Sequence, residues 1–206
     1  LLEPNRWAPG KHPTIRMGEW FDVIAEAGFD GIELWENHAG LLDAESRHKN
    51  LAVPVVIVNS YAPCDTSGKE ARDQASKRAL ELNARAIKFN LGPDITRRES
   101  YLAAVRQWLD SLPENVSLLC ECHPGTIMDD PEQAGECFAA LSSSRSRVKA
   151  IIHPLGKTTN ELQHWFQCLG PERITHAHIQ LRDPENNPIR LDRDPARVKE
   201  ALAVLA

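Results

Sequence analysis

Six short apolar runs, rich in β-branched residues, punctuate the chain at Gly31–Trp35, Val53–Val58, Ala86–Asn90, Val116–Cys120, Val148–Ile152 and Ile174–Ile179. Each predicts a strand. Their centres fall near Glu33, Val56, Lys88, Leu118, Ala150 and Ala177, giving steps of 23, 32, 30, 32 and 27 residues. A step of that size holds a strand, a helix and two loops. Most of the intervening segments carry the helical pattern. Glu19–Ala27 places Trp20, Phe21, Ile24 and Ala27 on one face and stops at Gly28. Ala71–Leu82, Tyr101–Leu109 and Glu132–Leu141 behave alike, the last opening with Asp130 as cap and Pro131 as first helical residue. Val198–Leu205 reads as a further helix, and the serine cluster Ser142–Ser146 as a loop.

Strands alternating with helices imply a parallel sheet. The near-constant spacing suits a (β/α)8 barrel, which takes about 250 residues. A doubly wound open sheet is the alternative, but no glycine-rich dinucleotide or phosphate loop follows the first strand. As a barrel the sequence comes up short. A first strand must come from the weak stretch Leu1–Trp7, Leu41–Ala52 is short and polar for a helix with its loops, and nothing after Val198–Leu205 supplies an eighth strand. The expectation is one α/β domain over residues 1–206, a (β/α)8 TIM barrel that is incomplete here, its last strand and parts of its helices missing.

Composition narrows the function classes. With 42% hydrophobic and 26% charged residues the chain is ordinary for a soluble globular protein. Its net charge of -5 creates no general field for nucleic acid or anionic lipid. No apolar run is long enough to span a bilayer, and the N-terminus lacks a signal-peptide pattern. The five cysteines are odd in number and show no CxxC spacing, and Cys120 and Cys122, two apart on one strand face, are poor disulfide partners. Reduced thiols in a cytoplasmic protein follow, with neither nucleic acid nor membrane as a partner.

The chemistry concentrates where strands end. In Leu118-Leu119-Cys120-Glu121-Cys122-His123-Pro124-Gly125-Thr126 an apolar strand terminates on a carboxylate and an imidazole. A carboxylate that deep needs a strong partner, because burying an unpaired charge costs several kcal/mol or more, about. Two later strands also end on histidines, in Ile151-Ile152-His153-Pro154 and Ile174-Thr175-His176-Ala177-His178-Ile179. Strand C-termini and the loops after them form the active face of a parallel barrel. Glu121, His153 and His178 are therefore expected to meet around one divalent metal ion. Imidazoles with a carboxylate favour Mn, Co or Zn, and Mg suits the set less as histidines accumulate. The blander readings are an ion pair between Glu121 and a Lys or Arg, and a turn histidine before Pro154. His176 shares its strand face with His178 and is assigned to support or substrate contact. His123 either binds a substrate hydroxyl or holds its loop.

Gly28-Phe29-Asp30-Gly31-Ile32-Glu33-Leu34-Trp35-Glu36-Asn37-His38 resembles the second-strand motif of the xylose isomerase-like TIM barrel superfamily, which includes sugar-phosphate isomerases and epimerases and the apurinic endonucleases. The Glu121–Thr126 segment is similar to its metal-carboxylate strand, and Thr175–Asp183 to its HxHxKD strand, with Arg182 in place of the lysine. The resemblance runs from about Trp20 to Asp183, four motifs in the right order. It implies a single divalent ion held by Glu, Asp, His and Glu from four strands. Glu121 matches the first carboxylate and His178 the histidine, while His153 stands where the Asp is usual. No residue matches the final Glu. The implied activity is isomerisation or epimerisation of an open-chain sugar, sugar phosphate or sugar acid through a cis-enediolate, with Glu121 as ligand or general base.

Under that resemblance the remaining polar residues at strand ends become substrate contacts. Glu33 binds sugar hydroxyls or pairs inside the barrel, and His38, in the loop after its strand, contacts substrate. Asn59 and Lys88 end the next two strands, Lys88 facing a substrate phosphate or carboxylate or else standing as a surface or ion-paired lysine. Arg182 joins this group with His123 and His176. An apurinic endonuclease-like phosphodiesterase is one alternative, but it needs a three-metal site with more His and Asp, and Asn59 and Asn90 occupy positions where those nucleases use histidine. A non-catalytic barrel binding a metal or a small polyol is another. Pairing into a homodimer is allowed, with no interface signature to name.

Overall fold

The computed structural model describes residues 3, 6, 8, 10–42, 51–141, 147–185 and 187–205. Most of the expected first strand in Leu1–Trp7, residues 43–50 of the Leu41–Ala52 passage and the Ser142–Ser146 loop lie outside the described residues. Six strands carry the sheet: β1 Ile32–Trp35, β2 Val55–Asn59, β3 Ala86–Phe89, β4 Ser117–Glu121, β5 Val148–Ile152 and β6 Ile174–Ala177, hydrogen-bonded in chain order. The helices are α1 Phe21–Glu26, α2 Glu36–Leu41, α3 Lys69–Glu81, α4 Arg98–Ser111, α5 Pro131–Leu141, α6 Thr159–Leu169 and α7 Pro195–Leu205. Five of them stand where the pattern predicts helix. α2 replaces an expected loop, and α6 was not anticipated. A short antiparallel hairpin, β7 Leu181–Arg182 with β8 Pro188–Ile189, follows the sixth strand.

The chain divides into two compact units. The first comprises Leu1–Phe89 and Ala103–Leu119. Its strands run parallel, with Ile32 opposite Val55, Trp35 opposite Asn59, and Asn59 opposite Lys88. Leu34, Val58 and Ile87 are buried on one face and Trp35, Ile57 and Asn59 on the other, so both sheet faces are covered, which is why these strands read as largely apolar runs. Gly31 is required just before β1: a Cβ there would lie 2.7 Å from Val56 Cγ1.

The second unit comprises Asn90–Leu102 and Cys120–Ala206. Here β5 and β6 pair in parallel, Ala150 opposite Ile174 and Ile152 opposite Ala177. α5 buries Ala134, Cys137, Phe138 and Leu141, the i, i+3, i+4, i+7 stripe of an amphipathic helix. Burying one side chain of the size of Phe138 contributes about 1.5–3 kcal/mol. Asp130 caps α5 by accepting the Gln133 backbone N–H at 2.9 Å. α6 buries Leu162, Trp165 and Leu169 and opens with a reciprocal cap between Thr158 and Glu161. It ends at Gly170, whose φ of 83° favours glycine. Among the described residues no helix is long and apolar enough to cross a membrane.

Candidate metal centre

Leu118, Leu119 and Cys120 are buried, so β4 carries its last residue to the edge of the core with little choice of direction. Glu121 is only 6% exposed there. Its Oε1 accepts hydrogen bonds from His153 Nε2 at 3.0 Å and His178 Nδ1 at 2.9 Å, and its Oε2 accepts from Asn90 Nδ2 at 3.0 Å. All four residues belong to the second unit, each at or just past the C-terminal end of a strand. Backbone pairing continues past those ends and fixes their spacing: Cys122 N–H donates to Ile151 O at 2.9 Å, and His178 N–H to Ile152 O at 2.8 Å. The His153 and His178 rings meet edge to face at 5.1 Å between centroids, and His123 stands 5.6 Å from His153 on another side.

The electrostatics favour neutral imidazole. Burial holds His153 below its ordinary 6.5, outweighing the upward pull of Glu121, while His178 and His123 push the same way as burial. A neutral ring is the form that can donate an electron pair to a metal. One donor atom each from Glu121, His153 and His178 lies within 4.8 Å of the other two. Bonds of about 2.0–2.2 Å place neighbouring donors roughly 3.3–3.6 Å apart around a tetrahedral ion and roughly 2.8–3.1 Å apart around an octahedral one. The observed carboxylate–imidazole separations of 2.9 and 3.0 Å sit at that edge length. A buried anion facing two imidazoles is a donor set that fits a divalent ion of the Zn, Co or Mn kind.

The other expected site residues have the following surroundings. Asn59 is buried and donates to Glu33 Oε1 at 2.7 Å, and its own Oδ1 has no hydrogen-bond partner among the described residues. Lys88, 1% exposed, is not at the surface: its ammonium lies 4.5 Å from the centre of the Tyr61 ring. His38 is not in a loop but on α2, buried, edge-on to Trp35 and 3.3 Å from Glu3 Oε2. Burial lowers its affinity for a proton despite that carboxylate. Glu3 in turn accepts from Thr14 N at 2.7 Å and Thr14 Oγ1 at 2.9 Å, with Lys11 Nζ at 3.0 Å. Burial alone would raise the Glu3 carboxyl, but these donors win and hold it at about 2. His176 is exposed, its Nδ1 3.2 Å from Thr175 Oγ1, and Arg182 donates to Gln180 Oε1 at 2.8 Å. His123 Nδ1 lies 2.7 Å from Pro124 O, a contact that needs the proton on Nδ1 and leaves Nε2 as an acceptor.

Three contributors have no role in the sequence reading. Asn90 holds the far oxygen of Glu121, and the need of any buried carboxylate for donors was the signal for it. Glu36 ties the start of α2 to the segment after β2, accepting from Ser60 Oγ at 2.7 Å and Tyr61 N at 2.8 Å. Glu3 comes from an N-terminal stretch with no readable period. In the first unit Trp35, Glu36 and Tyr61, with Arg6, Lys11 and His12, line a cavity of about 550 Å³.

No protein-family model and no curated protein sequence matches this chain. Solved structures do. One is the probable 3-DHS dehydratase AsbF involved in petrobactin synthesis from Bacillus anthracis, at 20% identity and a TM-score of 0.68, covering 84% of this chain and 71% of that one. Another is the IOLI protein with a bound zinc atom, at 12% identity and a TM-score of 0.61, covering 92% and 81%. At such identities the likeness shows the fold alone. That fold is an α/β barrel of the TIM type, and six of its parallel strands are among the described residues.

Proposed function

We propose that this chain is a divalent-metal-dependent enzyme that removes a proton from the carbon beside a carbonyl in a sugar, sugar phosphate or sugar acid, and so isomerises or epimerises it through an enediolate. The observation that carries this reading is the convergence of one carboxylate and two imidazoles on a common point, with Asn90 holding the carboxylate from behind. An ion bound by Glu121, His153 and His178 would supply Lewis-acid polarisation of the carbonyl. The chain's own residues do the rest. Glu121 is held in one orientation from both of its oxygens, and burial sharpens every charge interaction in its surroundings. His123 Nε2, an acceptor beside His153, suits a substrate hydroxyl. His176 and Arg182, in the same unit, are further candidate contacts, and a cytoplasmic setting with a small-molecule partner fits this reading. The zinc bound by the IOLI protein, on the same fold, favours a metal-linked activity.

A second reading is a dehydratase, favoured by the likeness to the probable 3-DHS dehydratase. Both begin with the same proton abstraction. In isomerisation the proton returns to carbon, whereas in dehydration the neighbouring hydroxyl leaves with a proton as water and a conjugated carbonyl remains. The test is to load the full chain with Mn, Co or Zn in deuterium oxide and offer open-chain ketoses, sugar acids and cyclic hydroxyketones. Deuterium on the carbon beside the carbonyl, lost in Glu121→Gln, supports the first reading. A new conjugated-carbonyl absorbance supports the second. Neither signal with any substrate, in protein shown to hold metal, refutes both.

A further inference from the structure

We propose that Glu132, His164 and Cys168 form a second cation site, on the outer helices of the second unit, that takes a zinc-type ion. His164 and Cys168 are four residues apart on α6, so their side chains stack on one helix face. Glu132 stands in the first turn of α5. Its Oε1 is 2.7 Å from His164 Nε2, and Cys168 Sγ is 3.8 Å from the same nitrogen. One donor atom from each residue lies within 4.8 Å of the other two. The two helices are locked together where this happens. A Cβ at Gly135 would lie 2.7 Å from Cys168 O, so the α5 backbone rests directly on the last turn of α6. The three donors thus ride on packed helices rather than loops, which is how precise sites are built.

The donor chemistry selects the ion. Thiolate, imidazole and carboxylate together suit zinc, with one coordination position left to water, while sulfur and nitrogen disfavour Mg and Ca. Burial, Glu132 and Asp130 all push the Cys168 thiol up, so without a cation it keeps its proton. The same negative surroundings attract a cation. On binding, the S–H bond breaks, its proton goes to solvent, and the sulfur's electron pair forms the bond to the metal, with no change of oxidation state. Asp130 Oδ1 is engaged in capping α5 and is not counted as a ligand. The plain alternative is an exposed Glu–His ion pair beside a bystander thiol, which contributes little to stability.

Cobalt titration of the full-length reduced protein separates the two. Cys64, Cys120, Cys122 and Cys137 are buried, so a sulfur-to-cobalt charge-transfer band reports on Cys168. The expected result is a metal equivalent that carries this band and is displaced by zinc. In C168S the band disappears and that equivalent binds at least about 100-fold more weakly, beyond the usual cost of losing only an outer partner. C168H retains zinc in that equivalent without the band, which shows that lost binding in C168S is not lost folding. The band also survives E121Q, because this site does not depend on the Glu121 centre. Absence of any such band in the wild-type protein, or its persistence in C168S, overturns the proposal.

Discussion

Removing Asn90 tests the central geometry without touching any of the three proposed ligands. Asn90→Ala deletes the donor that holds Glu121 Oε2 at 3.0 Å and leaves Oε1 facing the imidazoles. A hydrogen bond to a charged group contributes about 1.5–3 kcal/mol. Loss of an outer partner of a metal ligand typically weakens metal affinity about 10–100-fold. At about 1.4 kcal/mol per tenfold, these two ranges coincide. Asn90 is itself half-buried, so water recovers part of the loss, and a drop of roughly tenfold to thirtyfold is expected. The assay is competition for zinc between the full-length protein and a chromophoric chelator near neutral pH, with circular dichroism confirming the fold. Glu121→Gln provides the second arm. A neutral amide is a far poorer ligand for a divalent ion than a carboxylate, so its affinity must fall further than that of the alanine variant. Wild-type affinity in a folded Asn90→Ala protein would refute the positioning role, and wild-type affinity in Glu121→Gln would remove the centre altogether.

Two further outcomes are expected. In the metal-free protein, His153 is more readily protonated when unfolded than when folded, so stability is full above about 6.5 and is lost as pH falls through its lowered native value; His153→Gln should flatten that part of a melting-temperature profile, and an unchanged slope would contradict the neutral-imidazole reading. Gly68→Ala should destabilise by about 3 kcal/mol or more, measured by denaturant unfolding, because its Cβ would stand 1.9 Å from Pro63 O although the backbone φ of −88° is open to any residue; a loss below about 1 kcal/mol would mean that this turn yields easily.

Much of the fold was legible along the chain, for a physical reason. Strands covered on both faces are mostly apolar, so β2 to β5 announce themselves as short apolar runs at nearly constant spacing. Helices α3, α4 and α5 show their buried stripes directly. α6 carries the same signals, a cap spelled by Thr158 and Glu161 and a buried stripe of Leu162, Trp165 and Leu169. α2 gives no such signal, because six residues are too few for a period to emerge. For His38 the sequence offers only its place after a strand, and its burial against Glu3 depends on a stretch with no pattern of its own.

Residue order alone determined that this is an α/β chain of parallel strands, and that carboxylate and imidazole groups stand where several strands end. Both follow from local rules of burial and periodicity. Only the tertiary structure decided which of those groups meet: that Glu121 shares one oxygen between His153 and His178, that Asn90 holds the other, that Lys88 is buried against Tyr61, and that α5 brings Glu132 to His164 and Cys168. Residues 27 to 57 positions apart come together through strand register and helix packing, and these are fixed by the whole core at once rather than by any stretch of sequence.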